Sequence, residues 1–397
     1  LTVSIDNFEI KGGEDDSNDG GGIEIDNQYT VTLNRTTVHD NRSDNGGAVH
    51  MSTGTALNIQ NTSLLYLNSA LTGNGGGISC TGGSVTVSGD SYVGFWLLSS
   101  LGNTAAGNGG GIYLDDCDLI LNGNSAAGAR VIYNSADNGG GIYATNNAYV
   151  GVTGGNAAVD ANQILSTTGK GGGLYLAGGS DLYVDNGQVN GNTADETGAG
   201  IYATDAGTVV DFDTTSAYFC NTPRCAQLSD NVNTGLYGGG ISLEFGATLD
   251  MESVYVEGNQ TAHMGSAIYA RREGTSVALD SVMVTGNHAG NDQVLRLFDQ
   301  ATAAVQSSTF AGNTGHSNAT FGVEETTRLD GDGLVVWGND GSALIAGAGN
   351  ATLDGSILQA AFPGSNNLVA DPQFMDAAGG NYHLSHTSPA VDHCDSG

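Results

Sequence analysis

The sequence predicts an all-β protein folded as a single-stranded right-handed parallel β-helix, a solenoid of roughly a dozen coils with three short strands per coil. Three observations predict this fold: the composition, a recurring Gly-rich tetrapeptide, and short alternating apolar runs. The chain has 64 Gly and only 4 Pro in 397 residues, and 39% of its residues are hydrophobic. This composition argues against mostly helical folds and excludes a collagen or a disordered chain.

The tetrapeptide ends in an aliphatic residue and occurs nine times. Its aliphatic residues are Ile23, Val49, Ile78, Ile112, Ile142, Leu174, Ile201, Ile241 and Ile268. The spacing ranges from 26 residues (Ile23 to Val49) to 40 residues (Ile201 to Ile241), which indicates fixed strands joined by loops of variable length. Glycine before each aliphatic residue permits positive φ and close approach of the backbone at a corner.

Two further runs complete most repeats. Alternating apolar pairs such as Val150 and Val152 follow the tetrapeptide, and a third run ends in a turn Asn. These residues are Asn41, Asn68, Asn134, Asn192, Asn259, Asn287 and Asn313. Period-two alternation predicts strands, and strands this short can bury their inward faces only when successive repeats stack. Asn side chains stacked at one place could then hydrogen-bond along the axis.

The paired motifs resemble a known repeat. G-G-A-V ending at Val49 and V-H-D-N ending at Asn41, with counterparts over roughly residues 20–320, resemble the polymorphic outer-membrane-protein repeat of autotransporter adhesins. The segments N-N-L-V-A-D-P-Q-F, G-G-N-Y-H-L and S-P-A-V-D near the end of the chain resemble the last part of bacterial choice-of-anchor Q proteins. Both resemblances imply a right-handed parallel β-helix at the bacterial cell surface.

Domain organisation and location follow from the same patterns. We expect residues 1–360 to form the β-helix and residues 361–397 to form a capping segment of the same domain. Because Leu1 opens in the middle of an alternating pattern, we interpret the chain as a mature or excised fragment. The expected location is extracellular or on the bacterial cell surface.

The charge balance limits the partners. Ten Lys and Arg stand against 42 Asp and Glu, a formal net charge of −32. Repulsion therefore opposes binding to nucleic acid or to an anionic membrane surface. The sequence contains no run of about 18 apolar residues, so direct membrane insertion is not expected.

The residue after each tetrapeptide should point outward, because the aliphatic residue before it points inward. In five repeats this residue is tyrosine, and these are the candidate binding residues: Tyr113, Tyr143, Tyr175, Tyr202 and Tyr269. A stack of exposed phenols offers apolar area with a hydrogen-bonding tip to a carbohydrate or a cell-surface protein. The alternative is an aromatic ladder that only stabilises neighbouring coils.

Acidic turns are candidates for Ca²⁺, which takes oxygen ligands. The densest cluster contains Asp15, Asp16 and Asp19; solvated turn acids are the alternative interpretation, and no cofactor is required.

Two pairs of cysteines lead to different expectations. Cys220 and Cys225 enclose a Pro-containing loop in the longest interval, where we expect a local disulfide and hence an oxidising compartment. Cys80 falls in an inward position, where a packed, inert thiol is expected. Cys117 is out of register with Cys80, so a pairing of these two is not assumed.

The predicted role is binding or structural, that of a secreted or cell-surface adhesin-like protein, with no catalytic residues assigned. A polysaccharide lyase or glycoside hydrolase on the same scaffold is the alternative. Against it, lysine occurs only as Lys11 and Lys170, and a net charge of −32 repels a polyuronate. A second alternative is a fibre-forming subunit that associates end to end or laterally through exposed strand edges.

Overall fold

Each coil of the chain passes through parallel β-sheets that run side by side along a solenoid. The computed structural model describes residues 1–15, 19–95, 97–215, 225–290, 292–315, 319–341, 343–391 and 393. Within them, four sheets (A to D) are parallel, and each strand pairs with its equivalent in the next coil. The helical elements of these residues are two short 3-10 helices, Ser99–Leu101 and Ala377–Gly379.

Sheets A and B contain the second and third strands after each Gly-rich corner. Sheet A is formed by β1 (Thr2–Asp6), β5 (Thr30–Asn34), β9 (Ala56–Gln60), β13 (Ser84–Val87), β17 (Asp118–Asn122), β21 (Tyr149–Thr153), β25 (Asp181–Asp185), β29 (Val209–Asp213), β33 (Thr248–Glu252), β37 (Ser276–Asp280), β41 (Thr302–Gln306), β44 (Arg328–Asp332) and β47 (Asn350–Asp354). Sheet B is formed by β2 (Glu9–Lys11), β6 (Thr37–His39), β10 (Leu64–Tyr66), β14 (Tyr92–Gly94), β18 (Arg130–Ile132), β22 (Ala158–Asp160), β26 (Gln188–Asn190), β30 (Gln227–Ser229), β34 (Tyr255–Glu257), β38 (Met283–Thr285), β42 (Thr309–Ala311), β45 (Val335–Trp337) and β48 (Ile357–Leu358).

Sheets C and D complete the coil. Sheet C consists of two-residue strands: β3 (Glu14–Asp15), β7 (Arg42–Ser43), β11 (Ser69–Ala70), β15 (Thr104–Ala105), β19 (Ser135–Ala136), β23 (Gln163–Ile164), β27 (Thr193–Ala194), β31 (Val232–Asn233), β35 (Gln260–Thr261) and β39 (His288–Ala289). Sheet D contains the aliphatic residues of the tetrapeptides: β4 (Ile23–Ile25), β8 (Val49–Met51), β12 (Ile78–Thr81), β16 (Ile112–Asp115), β20 (Ile142–Thr145), β24 (Leu174–Leu176), β28 (Ile201–Thr204), β32 (Ile241–Glu244), β36 (Ile268–Arg271), β40 (Leu295–Phe298), β43 (Ala319–Val323) and β46 (Ala343–Ala346).

The core lies inside the sheets and is filled by alternate strand residues. In β16, Ile112 and Leu114 are fully buried, whereas Tyr113 between them is half-buried and faces outward. Leu119 and Leu121 repeat the inward pattern on sheet A. The predictions of an all-β chain, a parallel β-helix and roughly a dozen coils are therefore confirmed, with 13 strands described in sheet A.

A further two-residue strand follows the third run in ten of the described coils, which refines the expectation of three strands per coil. Strand β18 ends at Ile132, and β19 begins at Ser135. Tyr133 between them has φ 59°, a left-handed conformation that turns the chain. Asn134 follows on the inside of this corner and is fully buried.

The buried Asn residues form the predicted ladder. Each side-chain amide donates to the Oδ1 atom of the Asn in the next coil, as from Asn134 to Asn162 at 3.1 Å and from Asn162 to Asn192 at 3.1 Å. The described ladder contains Asn41, Asn68, Asn103, Asn134, Asn162, Asn192, Asn231, Asn259, Asn287, Asn313 and Asn339. The same oxygen also accepts the backbone N–H of the preceding Asn, so these buried polar groups are satisfied.

The Gly-rich corner is required by close contact between coils. A Cβ on Gly140 would collide with the backbone carbonyl oxygens of Gln163 and Gly172 in the next coil. Gly139 beside it has φ 58°. The repeated shape of this corner therefore depends on residues without side chains.

The structure corrects the expectation of a free thiol at Cys80, because Cys80 and Cys117 form a disulfide with a Cα–Cα distance of 6.2 Å. Cys80 lies in β12, and Cys117 is the buried corner residue of the following coil, immediately before β17. The Gly at the equivalent corner of Cys80's own coil, Gly83, has no side chain to fill this space. In strand register Cys80 lies opposite Leu114 and not opposite Cys117. The disulfide therefore joins the two coils across the corner.

The other predicted disulfide is only partly described. Cys225 is fully buried and takes part in a disulfide. Cys220 lies outside the described residues, so its pairing with Cys225 stays a prediction. Disulfides are typical of oxidising compartments, which agrees with an extracellular location.

The chain turns back after the last strand of the stack. Leu368 pairs with the last coil through hydrogen bonds of 2.9 Å from Leu358 N and 2.8 Å to Ser356 O. An antiparallel hairpin of β49 (Phe374–Asp376) and β50 (Asn381–Leu384) follows. The His383 imidazole lies 3.4 Å from the Tyr255 hydroxyl on sheet B, which places this hairpin along the side of the solenoid. The domain division at residue 360 stays a prediction.

Replacing Asn162 by Ala should lower the free energy of unfolding by roughly 2–4 kcal/mol, because it leaves the backbone and side-chain donors of Asn134 buried without their acceptor. Urea denaturation monitored by circular dichroism measures this change. Asn58→Ala, on the outer face of β9, is the matched control and should change stability far less. Equal shifts for the two variants would show that the ladder contributes nothing beyond an ordinary surface amide.

Peptide mapping of unreduced protein by mass spectrometry should find Cys80 linked to Cys117 and Cys225 linked to Cys220. Reduction should destabilise the protein by about 2–4 kcal/mol, as is typical when a native disulfide is lost. Free thiols at Cys80 and Cys117 in unfolded, unreduced protein would contradict the first linkage. A peptide joining Cys225 to Cys394 would contradict the second.

Candidate functional site: the tyrosine face of sheet D

The predicted tyrosines lie in one row on the outside of sheet D. Strand register places Tyr113 opposite Tyr143, Tyr143 opposite Tyr175, and Tyr175 opposite Tyr202. The ring centroids are 5.6, 4.5 and 4.9 Å apart along this series. The first two pairs are stacked with interplanar angles of 18° and 14°, whereas the Tyr202 ring is tilted by 45°.

Exposure divides the row into two parts. Tyr113, Tyr143 and Tyr175 are half-buried, and we call them the tyrosine face. Tyr202 and Tyr269 are only 3% and 2% exposed, so the expectation of exposed phenols does not hold for these two residues. The tyrosine face therefore ends at Tyr175.

Residues from the loops before the Gly-rich corners cover the two buried rings. The Lys170 ammonium lies 4.7 Å from the centroid of Tyr202. Tyr237 stacks on Tyr269 with the ring centroids 4.6 Å apart. Lys170 and Tyr237 each stand four residues before an aliphatic residue of the tetrapeptide, a position where the loops of neighbouring coils pair. This shared position in the repeat is a sequence signal that could have identified Lys170 and Tyr237 as the residues that cover the buried rings.

A buried ion pair fixes the covered end of the row. The Glu244 side chain is 1% exposed and lies 2.9 Å from Arg271 through both of its oxygens. The Tyr202 hydroxyl donates to Glu244 Oε2 at 3.1 Å. A buried carboxylate needs such partners, because removing Arg271 would leave the charge of Glu244 without compensation. Glu244 and Arg271 occupy equivalent positions in consecutive repeats, a charge pairing that sequence reasoning missed.

The phenols of the tyrosine face are neutral at physiological pH. Burial, together with the nearby charge of Asp115, raises the pKa of Tyr113 to about 12. Burial also raises the pKa values of Tyr143 and Tyr175, with Asp205 adding to the effect on Tyr143. Each hydroxyl therefore keeps its proton and can both donate and accept a hydrogen bond.

The predicted calcium cluster is described only in part. Asp16 lies outside the described residues, and Asp15 ends strand β3. Asp19 accepts a hydrogen bond from Asn45 Nδ2 at 2.9 Å and lies 3.7 Å from His50 Nε2. Among the described side chains, no group of three or more His, Cys, Asp or Glu residues is placed to hold a metal ion. Calcium binding by Asp15, Asp16 and Asp19 stays a prediction.

A comparison with protein families gives one match. Residues 98–115 match the Chlamydia polymorphic membrane protein (Chlamydia_PMP) repeat. This segment runs from the 3-10 helix Ser99–Leu101 through ladder residue Asn103 to the end of β16 and includes Tyr113. No curated protein matches the chain. In this repeat and in its parallel β-helix, the chain is similar to proteins of the polymorphic-membrane-protein type.

The described part of the chain has no helix that is long and apolar enough to cross a membrane.

Alkaline pH should destabilise the protein through the tyrosine row. An unfolded tyrosine ionises near the ordinary pKa of 10.0, whereas Tyr113 in the folded chain has a pKa of about 12. The stability gained by burying the neutral phenol is therefore complete below about pH 10 and is lost as the pH rises through about 12. Melting temperatures measured from about pH 9 to 12 test this. Tyr113→Phe should make the melting temperature fall less steeply as the pH rises. Tyrosinate absorbance that rises fully near pH 10 in folded protein would contradict the raised pKa of Tyr113.

Proposed function

We propose that this chain is the β-helical, adhesin-like part of a secreted or cell-surface protein, and that the tyrosine face contacts its partner. The observation that carries the proposal is the stack of three half-buried rings, Tyr113, Tyr143 and Tyr175, on the outside of sheet D. The match of residues 98–115 to a surface-protein repeat supports a binding role rather than an enzymatic one.

The rigidity of the row favours binding. Each tyrosine lies on a strand that is paired on both sides, so little conformational freedom is lost when a partner packs against the rings. The centroid distances of 5.6 and 4.5 Å give a strip about 10 Å long. One or two sugar rings, or one extended segment of a protein, could cover such a strip.

Charge defines the class of partner. The phenols are neutral, but Asp115 and Asp205 are close enough to raise tyrosine pKa values, and the chain carries a net charge of −32. A neutral carbohydrate or a cell-surface protein with a neutral or basic contact region fits this surface, whereas a polyanion is repelled. A contact this small binds weakly on its own and gains strength when many copies are displayed together.

The test compares two triple variants of Tyr113, Tyr143 and Tyr175 on multivalent beads. Replacing all three by Ser should weaken binding to glycan arrays and to cell-surface proteins by at least about tenfold, because the apolar stack and the hydroxyls are both lost. Replacing all three by Phe keeps the stack and should retain part of the binding.

Tyr202→Phe is the matched control. It removes the buried hydrogen bond to Glu244 and should lower the melting temperature without changing binding. Unchanged ligand profiles for the triple Ser variant would leave the tyrosines as a stability ladder and refute the proposal.

A further inference from the structure

One corner of the solenoid carries an excursion that its neighbours lack. Between the end of β14 at Gly94 and ladder residue Asn103, the chain runs through residues 95–102, which include the 3-10 helix Ser99–Leu101. In the next coil only Tyr133 separates β18 from Asn134. The described part of this excursion therefore stands out from the edge between sheets B and C.

The excursion is held against the coils on both sides of it. On one side, the backbone N–H of Leu67 in the preceding coil donates to the carbonyl oxygen of Leu101 at 3.3 Å. On the other side, a Cβ on Gly102 would collide with the backbone carbonyl oxygen of Tyr133. The excursion thus forms a fixed wall beside the corners of the following coils.

The corner residues beside this wall become smaller from one coil to the next. Tyr133, Ala161 and Gly191 occupy the same position in three consecutive coils, with φ values of 59°, 51° and 62°. These three corner residues form the floor of a groove beside the wall. A Cβ on Gly191 would have nothing nearer than Asp160 Oδ1 at 3.5 Å, so the groove is open at the Gly191 end. Wall and floor enclose a groove of about 340 Å³, which we call the insert groove. Its lining residues are Ser99, Ser100, Tyr133, Ala161, Gln163, Gly191 and Thr193.

Tyr133 has a conformation that its size does not favour. A positive φ is uncommon for a bulky residue. Other described corners directly before a ladder Asn also have positive φ; Gly258, Gly286 and Gly312 are glycines at this corner, whereas Leu67 and Asp230 are not. Tyr133 is one of the residues that line the groove.

The lining defines the chemistry of an occupant. Ser99, Ser100 and Thr193 supply hydroxyls, Gln163 supplies an amide, and Tyr133 supplies an aromatic ring with a hydroxyl. None of the described lining residues is charged. The carboxylate of Asp160, beside Gly191, is 3.1 Å from the Arg130 guanidinium and is already paired. The volume is at the lower end of the range for small-molecule sites, roughly 300–1,000 Å³.

We propose that the insert groove is a binding site for a neutral saccharide. Hydroxyl and amide side chains match the hydroxyls of a sugar, and an aromatic ring covers its apolar face. The net charge of −32 disfavours an acidic sugar, and no carboxylate in the lining attracts a basic one. This site lies at the edge between sheets B and C, so it is separate from the tyrosine face of sheet D.

The experiment starts with a glycan array that carries both neutral and acidic oligosaccharides, probed with the wild-type chain. A neutral glycan selected on the array is then titrated against two groove variants. Tyr133→Gly removes the ring and relieves the positive φ, so its melting temperature should be at least that of the wild type. Gly191→Asn fills the open end with a residue that tolerates the left-handed conformation. Both should bind at least about tenfold more weakly.

Gly286→Asn is the matched control, because Gly286 has φ 63° at the same corner of a coil outside the groove. It should bind the selected glycan as tightly as the wild type. The proposal is overturned when no neutral glycan binds the wild type, when Tyr133→Gly and Gly191→Asn bind normally, or when Gly286→Asn is weakened equally.

The triple Ser variant of the tyrosine face separates the two proposals. Glycan binding that survives in this variant and is lost in the groove variants supports the insert groove. The reverse result places the glycan on the tyrosine face and overturns the insert groove while supporting the proposed function.

Discussion

From Asn41 to Asn339, each described coil is held to the next by an Asn side chain that is buried at the same corner. The amide group of each Asn donates to its neighbour and to a backbone carbonyl of the preceding coil, as Asn162 Nδ2 does to Val131 O at 2.9 Å. A buried amide that lacked these partners would cost free energy, so one coil can take only the register that the adjacent coils already have. The positions of the outward side chains depend on this constraint.

A fixed register turns the sequence of outward residues into continuous rows. On sheet D it produces the stack of Tyr113, Tyr143 and Tyr175. On sheet A it places Asp213, Glu252 and Asp280 directly beside one another in consecutive coils. Like charges in register repel each other, yet the backbone and Asn ladders hold them there. Burial and the charge of Asp250 accordingly raise the pKa of Asp211 in the same sheet.

Loops that depart from the regular coil decide which outward residues are covered and where a groove forms. Loops before the Gly-rich corners cover Tyr202 and Tyr269 and leave the three preceding tyrosines accessible. The described part of the excursion, residues 97–102, builds a wall where other described coils have a single residue. The insert groove thus arises where one coil is longer than its neighbours.

The repeat by itself determined the coil, its inward residues and the Asn corner, because stacking leaves only one way to bury strands this short. Asn162, Asn231 and Asn339 also follow an apolar residue by three positions and could have been found by the same pattern. Asn103 could not, since the excursion separates it from Val93 of its coil. Only the tertiary structure decided the pairing of Cys80 with Cys117, the burial of Tyr202 and the pairing of Glu244 with Arg271. Each of these features involves residues of different coils, which are joined through corners and loops of variable length. Because the lengths vary, the sequence spacing does not show which residues become neighbours.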